Sequence, residues 1–193
     1  MRSVFIILLL ALLSVRTYSQ SKNTLSLVYG EASYDVAIWG VIGDFGYESK
    51  PGNIYGLNYS RNFNKVFSLE TGLNYSNNQV EKSSIVGGIG EIYHYGTIKM
   101  LSVPAIGKFT FFKYLYADIG LDIDFQTDYT SNSPAPDQSG IGMETGVGAK
   151  YNFGPVMIFV NPFWQFHSVI RFNKGENFNL LDSGVKFGVG YNF

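Results

Sequence analysis

The sequence contains no cysteine, and only 15% of its 193 residues are charged. The absence of cysteine excludes a disulfide framework, a thiolate metal site and a lipid-modified N-terminal cysteine. The charged fraction lies well below the roughly 25% typical of soluble domains. The formal net charge of −1, without a distinct basic patch, argues against a nucleic-acid partner. These absences favour a protein whose outer surface faces something other than water.

Long apolar runs are also scarce, with one exception at the N-terminus. Residues 4–15 are almost wholly apolar, follow Arg2, and precede small residues at Thr17 and Ser19. This pattern is typical of a secretory signal peptide, so we expect residues 1–19 to be cleaved and residues 20–193 to form the mature domain. An uncleaved anchor is the alternative, although a run of about 12 residues is too short for a spanning helix. No later stretch approaches the roughly 18 apolar residues of a transmembrane helix.

Aromatic residues and glycine, by contrast, are abundant: 14 Tyr, 16 Phe and 22 Gly. They fall into segments of alternating polarity, which is the pattern of a β-strand with two different faces. The last segment is the clearest, because apolar and aromatic residues alternate there with polar residues and glycine. Its apolar face contains Leu181, Val185, Phe187, Val189, Tyr191 and Phe193.

Eight such segments follow one another along the chain, separated by short and long connections in turn. The segments cover about residues 24–32, 53–63, 66–78, 98–111, 114–125, 140–153, 156–167 and 181–193. The long connections cover about residues 33–51, 79–96, 126–139 and 168–178. Short periplasmic turns alternating with long external loops are typical of outer-membrane barrels. The sequence therefore predicts an all-β, eight-stranded antiparallel up-and-down transmembrane β-barrel with both termini in the periplasm.

The polar faces of these segments carry nine ionisable groups. Burying nine such groups in a soluble core would cost far more than the roughly 5–15 kcal/mol that stabilises a domain. A narrow eight-stranded barrel can hold them inside as a paired, partly hydrated network, whereas the soluble alternative, a lipocalin-like cup, needs an apolar lumen. We predict a polar lumen network of Glu70, Lys108, Asp118, Asp122, Asp124, Glu144, Lys150, Asp182 and Lys186.

The members of this network lie at different depths along the strands. Four members at similar depth near the short turns are expected to form alternating ion pairs: Glu70, Lys108, Asp118 and Lys150. Asp124, Glu144 and Asp182 lie nearer the outer mouth. The network is expected to act as a structural plug, and the alternative is a cation site or polar path among these upper carboxylates. Eight strands leave an interior that side chains just fill, so no wide pore is expected.

The seventh segment differs from the others because its inward face is large. Its inward residues are Met157, Phe159, Asn161, Phe163, Gln165 and His167. The flanking segments place glycine inward, at Gly146, Gly148, Gly184, Gly188 and Gly190. We expect these glycines to make room for the large side chains.

Residue patterns for chemistry are weak. The two histidines, His94 and His167, fall near the external ends of segments and are expected to be exposed at the rim. Ser168 follows His167, but adjacent residues of a strand face opposite sides, so no catalytic triad is expected. Glycines at 87, 88 and 90 do not open a helix after a strand, which excludes a phosphate-binding loop. No cofactor or metal is predicted.

The connection at residues 33–51 is apolar for an external loop, with Trp39 and Phe45 among its members. Three interpretations remain open. The connection extends the first strand, covers the mouth of the barrel, or offers a docking surface for a protein or a hydrophobic ligand.

Two stretches carry a family likeness. The final residues 185–193 (VKFGVGYNF), with Tyr191 and Phe193, resemble the C-terminal signal read by the barrel-assembly machinery. Residues 101–109 (LSVPAIGKF) resemble a strand of the outer-membrane β-barrel domain family common in Bacteroidota, which includes PorT-like proteins. The resemblance implies a barrel in outer-membrane lipid, assembled by that machinery, and it brings no catalytic residues.

Together these observations predict a non-enzymatic barrel with a structural, adhesive or accessory role that its external loops perform. The alternative function is a narrow channel or transporter for small or hydrophobic solutes. A hydrolase or acyltransferase acting on envelope lipid is a third interpretation.

Overall fold

The computed structural model describes residues 22–38, 45–86, 90–128, 137–173 and 178–193. Eight strands form one closed antiparallel barrel in chain order, which confirms the predicted fold class. The strands are β1 (Asn23–Ile38), β2 (Phe45–Asn62), β3 (Phe67–Val86), β4 (Gly90–Phe111), β5 (Leu115–Gln126), β6 (Gly140–Phe153), β7 (Val156–Arg171) and β8 (Phe178–Asn192). The predicted signal peptide, residues 1–19, lies outside the described residues.

The barrel closes where the first strand meets the last. β1 pairs with β8 from Thr24 opposite Asn192 up to Ile38 opposite Phe178. The Asn23 N–H donates to the Phe193 carbonyl at 3.1 Å, and the Phe193 N–H donates to the Asn23 carbonyl at 2.9 Å. Closure gives both strands their backbone partners, which a β structure needs in order to cross a membrane.

The outer face of the barrel is apolar. Side chains such as Leu27 (67% exposed) and Val189 (55% exposed) point away from the lumen. Further members of this belt are Leu57, Leu73, Ile119, Leu121, Val147, Ile158 and Trp164. An apolar exterior around a polar interior is the arrangement of a transmembrane barrel. No helix among the described residues is long and apolar enough to span a membrane.

The short connections are where the sequence predicts them, but two of the long ones are much shorter than predicted. β1 continues to Ile38 and β2 starts at Phe45. β3 continues to Val86, and β4 starts at Gly90. The predicted loops at residues 33–51 and 79–96 are therefore mostly strand, and what separates the strands, residues 39–44 and 87–89, lies outside the described residues. Alternation of polarity fades there because these strand ends lie beyond the apolar belt, where a buried face no longer imposes it.

Beyond the belt, β2, β3 and β4 continue as a three-stranded sheet at the long-connection end. A tilted strand crosses a membrane in about 9–11 residues, whereas these strands have 18, 20 and 22. β5 has only 12 residues and pairs with β4 no further than Met100 opposite Gln126. We name residues 45–50, 79–86 and 90–99 the sheet extension.

The connection between β4 and β5 is strained at the short-turn end. Phe112 (φ 50°) and Lys113 (φ 70°) adopt the left-handed backbone conformation. That conformation costs a residue with a Cβ atom roughly 1–2 kcal/mol, whereas glycine and asparagine tolerate it. Phe112 is also 83% exposed, and its ring makes an edge-on contact with that of Phe111, 5.9 Å apart between centroids.

Relief of this strain should stabilise the barrel. We expect the variant Phe112→Asn/Lys113→Gly to raise the free energy of unfolding by about 1–2 kcal/mol, measured by urea titration in lipid vesicles. Lys65→Gly is the control, since Lys65 lies in another short turn, between β2 and β3, and has no positive φ. An unchanged or lower unfolding free energy for the double variant would show that the turn is not strained.

Candidate functional site

The lowest layer of the lumen, near the short turns, is organised around one carboxylate. Glu70 of β3 accepts a hydrogen bond from the Lys108 ammonium of β4 at 2.7 Å. It also accepts hydrogen bonds from the β2 side chains of Ser60 (2.6 Å) and Asn58 (3.2 Å). These residues alternate along neighbouring strands, so their side chains all face inward and meet. The layer thus links β2, β3 and β4 through the buried Glu70 carboxylate, which accepts hydrogen bonds from three protein side chains.

Of the alternating ion pairs predicted for this depth, Glu70–Lys108 is formed. Among the described residues Asp118 and Lys150 are not ion-paired, so the prediction holds for one pair only. Asp118 accepts a hydrogen bond from the Asn161 amide at 2.8 Å, and Lys150 donates to the Thr110 hydroxyl at 2.8 Å. The ring of Tyr116 separates the cations: its centroid lies 5.3 Å from the Lys108 nitrogen and 5.9 Å from that of Lys150. The ring thus occupies the space that a continuous chain of charges would need.

The middle layer contains a second buried ion pair. The Lys186 ammonium of β8 lies 2.7 and 2.6 Å from the two carboxylate oxygens of Glu144 on β6, across β7. It also lies 4.2 Å from the ring centroid of Phe163, which adds a cation–π contact. Asp122 is completely buried at this level, and neither of its oxygens has a hydrogen-bond partner among the described residues.

The upper layer places a histidine between two carboxylates. His167 Nδ1 lies 2.7 Å from Asp124, and His167 Nε2 lies 2.9 Å from Asp182. Ser102 donates to the other oxygen of Asp124 at 2.5 Å. Each ring nitrogen thus has a carboxylate acceptor, so a doubly protonated ring donates to both. All three members of this cluster are at most 2% exposed in their side chains.

The predicted exposure of His167 at the rim is therefore wrong. β7 contains an irregularity beside β6, between Ile141 and Met143, where Ser168 has a φ of 52°. The irregularity breaks the alternation, so that His167 and Ser168 are both buried. His167 does continue the inward series of β7 from Met157, and that periodicity is the signal in the sequence that places it in the lumen. The side chain of His94 lies outside the described part of the structure.

The segment after β5 anchors the rim above this cluster. The Ser168 hydroxyl donates to the Gln138 carbonyl at 2.6 Å. Asp137 accepts from the Ser139 backbone and hydroxyl (2.9 and 2.6 Å) and from the Asn173 amide (2.7 Å). Burial raises the pKa of Asp137, but these hydrogen bonds outweigh it, so its pKa lies below the ordinary value.

The lumen is closed above the histidine by apolar side chains and is nearly filled below it. Ile98, Met100 and Leu180 are completely buried at the long-connection end. Two cavities between the polar layers measure about 30 and 10 Å³, each enough for about one water molecule. Among the described residues no three His, Asp or Glu side chains are grouped so as to hold a metal ion.

Three of the five glycines predicted to make room for β7 do so, namely Gly146, Gly188 and Gly190, whereas Gly148 accommodates Tyr116 of β5 and Gly184 lies against Ala32 of β1. A Cβ atom on Gly188 would overlap the ring of Phe159 and approach the Leu27 carbonyl oxygen to 2.8 Å. A Cβ atom on Gly190 would lie 3.0 Å from the Met157 side chain. β7 and β8 therefore pack as a large face against a small one.

The connection predicted as a docking surface is divided by the structure. Residues 33–38 belong to β1 and residues 45–51 to β2, which confirms the interpretation that this region extends the first strand. Residues 39–44 lie outside the described residues, as do the side chains of residues 34–50. Docking of a protein or hydrophobic ligand here stays a prediction.

Comparison with known proteins identifies a matching family and several similar solved structures. The family described as "Outer membrane protein beta-barrel domain" matches residues 5–193. The outer-membrane protein OprG of Pseudomonas aeruginosa is 16% identical, with a TM-score of 0.56 over 90% of this chain and 97% of that one. The attachment invasion locus protein Ail of Yersinia pestis is 19% identical, with a TM-score of 0.46 over 89% and 99%. At 16% identity the comparison with OprG shows likeness of fold alone. Comparison with curated sequences gives no match.

Proposed function

The chain belongs to the outer membrane protein β-barrel domain family, and from this premise we propose that it is a closed, non-conducting and non-enzymatic barrel that acts through its surface. The observation that carries this proposal is the filled lumen. Two buried ion pairs, the histidine between its carboxylates and an apolar cap lie one above another along the barrel. A hydrated ion needs a continuous path, and cavities of about 30 and 10 Å³ do not provide one.

Conductance in planar lipid bilayers tests the closed lumen directly. We expect the folded, mature protein to give no steady current steps at membrane potentials up to about 100 mV, since moving one charge through a filled interior of low dielectric constant costs several kcal/mol. A general porin in the same bilayer is the positive control. Reproducible single-channel steps from the purified protein would refute the closed lumen and favour the narrow channel.

Burial also argues against an envelope-lipid hydrolase or acyltransferase. A nucleophilic serine must contact both its base and the substrate. Ser102 donates to Asp124 rather than to His167, and Ser168 donates to the Gln138 carbonyl. His167 itself is 1% exposed, so no lipid carbonyl reaches it.

The sheet extension is the feature on which we place an adhesive or accessory role. It projects three paired strands beyond the belt, with β3 and β4 paired continuously from Asn74 opposite Ser102 to Val86 opposite Gly90. The barrel needs none of this length to cross the membrane. A projection of paired strands can hold its connections clear of the lipid surface.

Shortening the extension tests this role. Residues 80–96 are deleted and Gln79 is joined to Thr97, its pairing partner, through an Asn-Gly turn. We expect the shortened barrel to fold. Aggregation of the cells that carry it, and their adhesion to a solid surface, should decrease to the level of cells that lack the protein. Deletion of residues 130–135, in another long connection, is the control. Unchanged aggregation and adhesion of cells with the shortened hairpin would contradict the proposal.

Three features of biogenesis and topology complete the proposal. Residues 1–19 form the cleaved signal peptide, and the short turns and both termini face the periplasm. The ring centroids of Phe193 and Tyr191 lie 6.5 Å apart, and Phe193 is 51% exposed. This accessibility at the base of β8 supports the role of the two residues as the C-terminal assembly signal. The polar lumen network acts as the structural plug, with Lys150 at its lower end.

A further inference from the structure

We propose that the mouth of the barrel at the short-turn end is a binding pocket for a phosphate group. A cavity of about 1060 Å³ opens there. Four lysines from different parts of the chain line it: Lys22, Lys65, Lys113 and Lys150. We name this cavity the basal pocket.

The charge of the basal pocket is of one sign. Among the described residues its lining contains no aspartate or glutamate, and it otherwise consists of asparagine, threonine and apolar residues. None of the four lysines is ion-paired within the part of the chain that the structure describes. The nearest carboxylate inward, Glu70, is already paired with Lys108 at 2.7 Å. The described part of the pocket therefore concentrates positive potential.

Lys150 is the innermost of the four cations and the best placed to contact an anion. It is half-buried, and within the described residues its ammonium donates only to the neutral Thr110 hydroxyl at 2.8 Å. An ammonium has three donors, so donors remain for a ligand oxygen. Lysine binds phosphate as a point charge, and its charge-assisted hydrogen bonds are stronger than neutral ones.

The basal pocket is blind. Above Lys150 the next cavity measures only about 30 Å³ and is lined by Lys108, Glu70 and Tyr116. A phosphate group is several times larger than a water molecule, so it stops at Lys150 and does not enter the lumen. The geometry thus fits retention of an anion and not its passage.

The strained turn between β4 and β5 belongs to the same pocket. Lys113 lines it in the left-handed backbone conformation that glycine would adopt more easily. Beside Lys113, the ring of Phe112 is 83% exposed. Aromatic side chains are enriched at membrane–water interfaces, so this turn places a cation at the depth of lipid headgroups. The phosphate can therefore come from a headgroup of the adjacent leaflet or from a soluble phosphorylated molecule.

Two binding assays on the folded mature protein test the proposal and separate the two sources. Isothermal titration of the detergent-solubilised barrel with inorganic phosphate measures the soluble source. Native mass spectrometry with phosphatidic acid, compared with diacylglycerol of the same chains, measures the headgroup. We expect saturable binding in at least one assay, weakened by added salt.

Matched variants locate the site. Lys150→Gln should weaken binding at least about tenfold, whereas Lys99→Gln should leave binding unchanged because Lys99 pairs with Asp128 near the opposite end. Lys113→Gln, on the exposed turn, replaces Lys150→Gln if the latter does not fold. Absence of binding in both assays, wild-type affinity of the Lys150 and Lys113 variants, or equal weakening by Lys99→Gln would each overturn the proposal.

Discussion

Replacing Gly188 with leucine should prevent the barrel from closing. A Cβ atom at this position overlaps the Phe159 ring and lies 2.8 Å from the Leu27 carbonyl oxygen, so both a side chain and the β1 backbone would have to move. Overpacking of a filled core costs about 1–3 kcal/mol, and a backbone clash at the closing β8–β1 seam adds to it. We expect the unboiled protein to lose its fast-migrating band on a gel, which reports the closed barrel.

Gly107→Leu is the control for this substitution. Gly107 lies in β4, and a Cβ atom there would meet the Phe67 ring at 3.4 Å, an ordinary contact. The Gly107 variant should therefore keep the fast-migrating band. If Gly188→Leu also kept it, with wild-type resistance to urea, the packing of β7 against β8 would not depend on the glycine.

Removing the buried histidine should destabilise the protein more than any surface substitution. In His167→Leu, Asp124 and Asp182 lose the group that bridges them, and both lie in a layer that is at most 2% exposed. Breaking a buried charge pair by removing one partner costs about 3–5 kcal/mol. Urea unfolding in lipid vesicles, followed by fluorescence of Trp164 and Trp39, measures the loss.

The triple variant Asp124→Asn/His167→Leu/Asp182→Asn separates charge from packing. It removes the histidine but leaves no buried carboxylate in the layer, and the Ser102 hydroxyl keeps an acceptor at position 124. We expect it to recover at least about half of the stability that His167→Leu loses, because uncompensated charge is the larger cost. Equal stability of the single and triple variants would assign the loss to packing instead.

The period of two along the sequence was sufficient to predict the barrel, its strand number and the inward placement of its charged residues. Lipid on one side and a narrow lumen on the other impose this period, and it fails where either is missing. At the sheet extension the lipid is missing, so residues 79–86 did not look like a strand. At Ser168 an irregular residue changes the face, and the burial of Ser168 next to His167 could not be seen from alternation.

Pairing within the lumen was less predictable than placement. Depth along each strand brought Lys108 and Lys150 to one level, yet partner choice depends on which side chain fills the space between them. Tyr116 takes that space because Gly148 opposite it has no side chain, and a Cβ atom on Gly148 would overlap the tyrosine ring. The spacing of charged residues along the sequence does not show an arrangement that depends on a third and a fourth side chain in this way.

The orientation and location of the barrel can be tested most directly by labelling, because the chain has no cysteine. Single-cysteine variants at Lys65, in a short turn, and at Asp128, after β5, are exposed to a membrane-impermeant maleimide on intact cells. We predict that Asp128→Cys is labelled on intact cells and that Lys65→Cys is labelled only after the outer membrane is opened. Labelling of Lys65→Cys alone on intact cells would show that the barrel has the opposite orientation. Labelling of neither variant would contradict a barrel with its sheet extension at the cell surface.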